Sequence, residues 1–273
     1  AAEWQEDLLL GIEPEHNIFD QMERYRKLAD YMSDLLGIKV KLTIMSRYGE
    51  VIKRFRVRHL DGAFLSSYTA AMGIRDLELV PVASPVHLDG ESTSQGYIFV
   101  RKDSGINDVS HMAGKRVAFV DPATTEGYLF PLVYFRQHGI TDKESFFDGN
   151  YFTGSHASVL FAVLDGRADI GAAKDSVYTK QVRQDPSIGE ELKILARSPK
   201  IPEVTLCIRK DLPLKLRERL QALLLHMDTT TRGQAVLEQF EALRFIKSKR
   251  SEFAVVDRMG EDAGITMTEQ HGD

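Results

Sequence analysis

The sequence predicts an α/β fold of two lobes, each a mixed or parallel sheet flanked by helices. Three observations carry that expectation. Short apolar runs of strand length alternate with longer runs of helical spacing along the chain, the pattern of βαβ units. The 273 residues exceed one average domain of roughly 150. Two stretches, residues 96–106 (GYIFVRKDSGI) and 198–212 (SPKIPEVTLCIRKDL), each carry an apolar strand into an Arg-Lys-Asp triplet and read as crossings between lobes.

The elements follow in order. Residues 8–12, LLLGI, make a buried strand, and the loop EPEHN leads out of it. Residues 18–36 carry Phe19, Met22, Leu28, Tyr31, Met32 and Leu35 at helical spacing, and Gly37 is placed to end the helix. Residues 39–45 alternate as a strand should, and 49–58 return to helical period. Residues 61–65 form a short apolar strand, closed by Ser66-Ser67-Tyr68 before a helix over 69–72. Residues 77–83 form a strand that contains Pro81 and is therefore expected at a sheet edge.

The same grammar continues with strands at 96–101 and 116–120 and an amphipathic helix over 125–138, ended by Gly139. A helix at 159–164, a strand at 168–172, a helix at 176–183 and strands at 192–196 and 205–208 come next. From Leu214 onward the chain is expected to be mostly helical, with the acidic stretch 266–273 lacking fixed structure.

Composition removes several function classes. Lys and Arg number 35 against 40 Asp and Glu, a net charge of −5, which excludes a strongly basic nucleic-acid binder that works by neutralising phosphates. A small anionic ligand stays open, because one site can be locally positive on an acidic protein. No apolar run approaches the roughly 20 residues that span a bilayer. The start, Ala1-Ala2-Glu3, suits a mature chain left after signal cleavage and equally a trimmed one. The single cysteine, Cys207, cannot form an internal disulfide or a cysteine-based zinc cluster, and in its apolar strand it reads as buried and inert.

The sharpest local feature is VDPATTEGYLFP, residues 120–131. A strand ends, Asp121-Pro122 turns, and Thr124-Thr125 stands where a helix begins. Hydroxyls and N–H groups there form an anion cradle, or else an ordinary threonine cap. Glu126 in the first helical turn already complements the helix dipole and would repel an anion, so it is expected to face solvent; the alternative is that it reaches the ligand and sets specificity for a protonated anion or one that carries a cationic group. His156 opens a second strand-to-helix turn, GSHASVLFAV, as an oxyanion donor or a solvated capping residue. A donor whose charge matters would tighten binding as pH falls. Ser66-Ser67 lies just past a third strand end, where ligands gather in open α/β sheets. Glu13, Glu15 and His16 have the chemistry of metal ligands but read more simply as a solvated loop. Lys53, Arg54, Arg56 and Arg58 read as a solvated helix face. HExxH, GxSxG, GxxxxGK and GxGxxG do not occur. No nucleophile–base pair, metal set or cofactor is expected.

Taken together these segments resemble the phosphate-, phosphite- and phosphonate-binding proteins of bacterial ABC transporters, in the type II periplasmic binding protein superfamily. The carriers are LLLGIEPEHN, LLGIKVKL, MSRYGEVIKRF, DGAFLSSYTAAM, YIFVRKDSGI, DPATTEGYLFP, GSHASVLFAVLDGRADIGAA and LARSPKIP, from Leu8 to about Phe253. The resemblance implies a first lobe of residues 1–98 and 206–273 and a second of 99–205, with the ligand between them. It implies that Thr124 and Thr125 hold an oxyanion through hydroxyls and N–H groups, that His156 joins them, that Tyr48 follows the second strand, and that Ser66 and Ser67 face the same cleft. A family aromatic falls near Ser94, with Tyr97 nearby. Glu126 replaces a small or hydroxyl residue. The acidic residue that usually follows SPxIP appears as Glu203-Val204, displaced or lost, which puts an aminoalkylphosphonate in doubt.

The implied function is extracytoplasmic or periplasmic capture of a small tetrahedral oxyanion by a monomer that hands it to the permease of an ABC importer. A sensor that feeds a signalling protein is the alternative on the same fold, and an enzyme comes third.

Overall fold

The computed structural model describes residues 6–268. The chain divides into two compact units. Unit 1 holds the residues up to Thr93 together with Pro202–Val255; unit 2 holds Ser94–Ile201 and the residues from Val256 onward. The crossings thus fall at 93/94 and 201/202, not at 98/99 and 205/206, and the last helix groups with unit 2, not with the first lobe.

Unit 1 begins with β1 (Leu8–Ile12), α1 (Ile18–Leu36), β2 (Val40–Ile44), α2 (Glu50–Arg56), β3 (Gly62–Leu65), α3 (Ser67–Leu77) and β4 (Val80–His87). Asn17 caps α1 by accepting the Phe19 N–H at 2.9 Å, and Gly37 ends it in the left-handed region at φ 70°. The buried stripe of α1 is Gln21, Tyr25, Leu28, Ala29, Tyr31, Met32 and Leu36. Phe19, expected on that stripe, is 80% exposed, because the stripe is set one residue round from it. Tyr25 meets Phe64 and Phe240 edge-on, with centroids 4.9 and 5.0 Å apart, at the centre of this core.

Unit 2 contains β5 (Thr93–Ser94, which straddles the first crossing), β6 (Gly96–Arg101), β7 (Val117–Phe119), α4 (Phe130–Gln137), α5 (Lys143–Phe146), β8 (Asn150–Phe152), α6 (His156–Leu164), β9 (Ile170–Lys174), α7 (Asp175–Gln184), α8 (Ser187–Glu191), β10 (Leu192–Arg197) and β11 (Ile201–Pro202, which straddles the second). Unit 1 resumes with β12 (Thr205–Ile208), α9 (Leu214–Leu225), α10 (Thr231–Phe240) and β13 (Ala242–Lys247), and α11 (Ala254–Asp262) follows.

The sheet of unit 1 runs β13-β4-β12-β3-β1-β2 and that of unit 2 runs β10-β6-β9-β7-β8; β11 and β5 pair as a two-stranded ladder. Both large sheets are mixed. In unit 1, β1 pairs parallel with β2 and β3, while β12 and β13 run antiparallel to their neighbours. In unit 2, β7 pairs parallel with β8 and β9, and β6 and β10 run antiparallel.

Three expectations change. β4 is interior, between β13 and β12. Its Pro81 lies opposite Cys207 beside a bulge in β4 itself, where Val82 is the extra residue against consecutive Leu206 and Cys207, and it lies outside the stretch that β13 covers, so the proline stands where the ladder is already irregular. The tail is not all helical: β13 pairs with β4, and its bulge between Ala242 and Arg244 breaks the alternation a strand would show. The helix expected over 125–138 opens with a π-turn, Thr125–Leu129, before α4. Pro131 has no N–H for the Gly127 carbonyl, and that carbonyl instead accepts the Val120 N–H at 3.2 Å.

At the chain's end, Met267 is buried, and a Cβ built on Gly260 would stand 2.9 Å from its Sδ. Packed structure therefore reaches into the stretch expected to lack it; residues 269–273, like Ala1-Ala2-Glu3, lie outside the described residues. No described helix is long and apolar enough to cross a membrane.

Candidate functional site

In unit 2 the pairing brings separate strand ends to one edge. The C-terminal ends of β7, β8 and β9 are neighbours, and the start of β6 joins them because Gly96 lies opposite Lys174. Hence Thr124, Thr125 and Glu126 (after β7), His156 (after β8), Lys174 (ending β9) and Ser94 (before β6) share that edge. All six are buried. Such an edge, where first-turn N–H groups have no partner within their own helix, suits an anion.

The hydrogen bonds assign distinct tasks. Thr124 turns both donors onto the Asp121 carbonyl, its hydroxyl at 2.7 Å and its N–H at 3.2 Å. A hydroxyl has one hydrogen, so Thr124 locks the turn instead of donating to an anion. Asp121 helps from the other side by accepting the Ala123 N–H at 2.8 Å. Gly127 is required there, since a Cβ would lie 2.3 Å from Val120 Cγ2. Thr125 is fully buried at the first helical position, on the same edge.

Glu126 does not face solvent. It is 2% exposed, and its Oε1 accepts the Ser94 hydroxyl at 2.7 Å. The Ser94 hydrogen is thereby directed at a carboxylate, so Ser94 orients Glu126 rather than serving as an anion donor. His156 is neither solvated nor a cap; Ser155 caps α6, and His156 Nδ1 accepts the Lys174 N–H at 3.0 Å. That bond leaves the ring hydrogen on Nε2, a neutral donor. A tightening driven by the ring's positive charge does not fit this geometry, because Nδ1 already serves as an acceptor.

Unit 1 has its own edge. The parallel order β2-β1-β3 places Glu13 after β1, Tyr48 after β2 and Ser66-Ser67 after β3 side by side. Ser66 and Ser67 are buried at the cap and first residue of α3, which starts two residues earlier than expected. Glu13 is not a solvated loop residue. It is 2% exposed, its Oε2 accepts the Ser66 N–H at 3.0 Å, and its Oε1 accepts the Thr69 hydroxyl. Burial raises its pKa from 4.5 to about 8. Among the described residues no group of three His, Cys, Asp or Glu could hold a metal ion.

Glu203 is not lost to the surface. It is buried in unit 1, its carboxylate engages His87 Nε2, and it accepts the Val204 N–H at 2.7 Å. Cys207 is buried, and desolvation together with the nearby Glu13 pushes its thiol pKa up, so it is inert as expected. Sequence reasoning took Glu13 for a solvated loop residue and did not single out Lys174 at all. Lys174 ends a strand, GAAK, whose other residues are small and apolar, and a lysine before Asp175 reads as solvated. The only signal was position, at a strand end beside the others.

The family described as the periplasmic substrate-binding protein of phosphonate ABC transporters matches residues 10–253. Among curated relatives, the phosphate-import protein PhnD of Mycolicibacterium smegmatis is 28% identical over 188 residues, 66% of this chain and 59% of that relative's length. Among solved structures, a binding-protein component of a phosphonate ABC transporter from Pseudomonas aeruginosa superposes with a TM-score of 0.87 at 20% identity, over 95% of this chain and 87% of that one. PhnD1 of Prochlorococcus marinus, solved in complex with methylphosphonate, gives 0.85 at 20% identity, over 95% and 98%. These likenesses match the type II periplasmic binding protein fold. With the family match spanning most of its length, the chain belongs to the periplasmic substrate-binding proteins of phosphonate ABC transporters.

Proposed function

We propose that this chain captures a small tetrahedral phosphorus oxyanion, of the phosphonate, phosphite or phosphate class, and delivers it to the permease of an ABC importer. One observation supports the reading most. The Lys174 N–H fixes His156 as an Nε2–H donor on the edge where the Thr125 turn begins. Neutral N–H and O–H donors arrayed in this way replace the hydration of an anion without forming a covalent bond. Unit 1 carries its own strand-end edge of Tyr48, Ser66 and Ser67, where Glu13 holds the Ser66 backbone in place. Membership of the family supports the transport role.

The test is calorimetry on protein unfolded, stripped of ligand and refolded. Methylphosphonate, phosphite, phosphate and sulfate are titrated in turn. At least one phosphorus oxyanion should bind tightly; silence from all of them would overturn the proposal.

A further inference from the structure

Resting on that reading of function, we infer that Glu126 selects the protonation state of the ligand: the oxyanion is bound as a singly protonated species whose P–O–H hydrogen is donated to the Glu126 carboxylate. The argument begins with burial. Glu126 and Ser94 are 2% and 1% exposed, so this carboxylate is not a surface group that happens to lie near the site. It sits on the turn between Thr125 and Gly127, and the start of β6 closes on the same turn. A Cβ built on Gly96 would stand 3.1 Å from the Glu126 Cα. The Ser94 hydroxyl, donating to Oε1 at 2.7 Å, fixes the orientation of the group.

An ionised carboxylate accepts and never donates, and its two oxygens offer about four lone-pair positions. Beside a fully deprotonated oxyanion it adds repulsion in a desolvated place. Beside an oxyanion that keeps one hydrogen, the same contact becomes a charge-assisted hydrogen bond. The donors that hold the anion, Thr125 and His156 Nε2–H, cannot make this distinction, because they serve protonated and deprotonated forms alike. Among the described residues, the titratable or charged groups at this edge of unit 2 include Asp121, His156, Lys174 and Asp175. Asp121 is committed to the Ala123 N–H, and His156 Nδ1 to the Lys174 N–H. Lys174, at the end of β9 on the same edge, is buried as well.

Two measurements test this. First, methylphosphonate is titrated into the unaltered protein in buffers of different ionisation enthalpy. At about pH 8.5 binding should take up about one proton per ligand, and at about pH 5.5 none. Second, Glu126→Gln is compared with the unaltered protein for methylphosphonate, phosphite and sulfate across the same range. The amide should lower the preference for the protonated phosphorus anions over sulfate by about tenfold or more and flatten the loss of affinity at high pH. Ser94→Ala, which keeps the carboxylate but releases it, should move selectivity in the same direction by less. No proton uptake, or an unchanged preference over sulfate in Glu126→Gln, overturns the inference and leaves the proposed function standing. Failure of the unaltered protein to bind any of the anions overturns the proposed function itself.

Discussion

The backbone N–H of Lys174 donates to Nδ1 of His156 across 3.0 Å, joining the last residue of β9 to the first residue of α6. The bond decides which ring nitrogen can carry hydrogen in the neutral imidazole. Nitrogen-15 spectra of histidine-labelled protein near neutral pH should show the Nε2–H tautomer at this residue. An Nδ1–H signature would exclude the donor role given to Nε2.

Thr124 and Thr125 should separate cleanly on substitution. Thr124→Val removes the hydroxyl bonded to the Asp121 carbonyl and should lower stability by about 0.5–1.5 kcal/mol in urea unfolding. Thr125→Val should leave the fold intact and reduce oxyanion affinity by one to two orders of magnitude, the equivalent of about 1.5–3 kcal/mol. Equal affinity loss from both would mean that Thr124 donates to the ligand after all.

Glu13 makes stability depend on pH. The unfolded carboxyl titrates at its ordinary 4.5, while burial keeps the folded one protonated up to about 8. Its contribution is therefore fully present below 4.5 and is lost as pH rises through about 8, since across that window the folded state holds a proton that the unfolded state has released. The decline should be on the order of a few kcal/mol and should disappear in Glu13→Gln. Parallel stability–pH curves for the two proteins would show that Glu13 ionises freely in the fold.

Gly127→Ala should destabilise by about 1–3 kcal/mol, because the new methyl meets Val120 side-chain atoms at 2.3 and 2.5 Å. Val120→Ala in the same chain should restore part of the loss. A double variant no more stable than Gly127→Ala alone would place the strain elsewhere.

The alternation of elements was legible because strands and helices in this chain differ in period, and boundaries such as Leu8–Ile12 and Thr205–Ile208 came out as expected. What escaped depended on contacts made far along the chain. Pro81 argues for an edge strand until β4 itself bulges at Val82 where it pairs with β12. β13 hides because its own bulge puts Phe245 and Ile246 out of alternation with Ala242. The residues named for the site do gather at two strand-end edges, one in each unit, since strand ends are visible in sequence. The direction of a side chain is not visible there. An acidic residue in a first helical turn ordinarily points outward, and only the return of the chain at Ser94 turns Glu126 inward. Glu13 likewise looks solvated in EPEHN until Ser66 and Thr69, more than fifty residues on, close over it.

The division of the chain also governs when each part can form during synthesis. Unit 1 is interrupted by unit 2 and draws its members from as late as Val255, while unit 2 takes in the residues from Val256 onward. A ribosome that has produced only the first half of the chain has therefore delivered the material for neither unit in full. Domains strung in series ordinarily fold one after another from the N-terminus as they emerge. Here β12, β13 and α11 arrive last, and β12 is an interior strand of the sheet that began with β1. Up to that moment, β3 and β4 lack the strand that joins them, so the nascent chain carries an open seam until Thr205–Ile208 emerges.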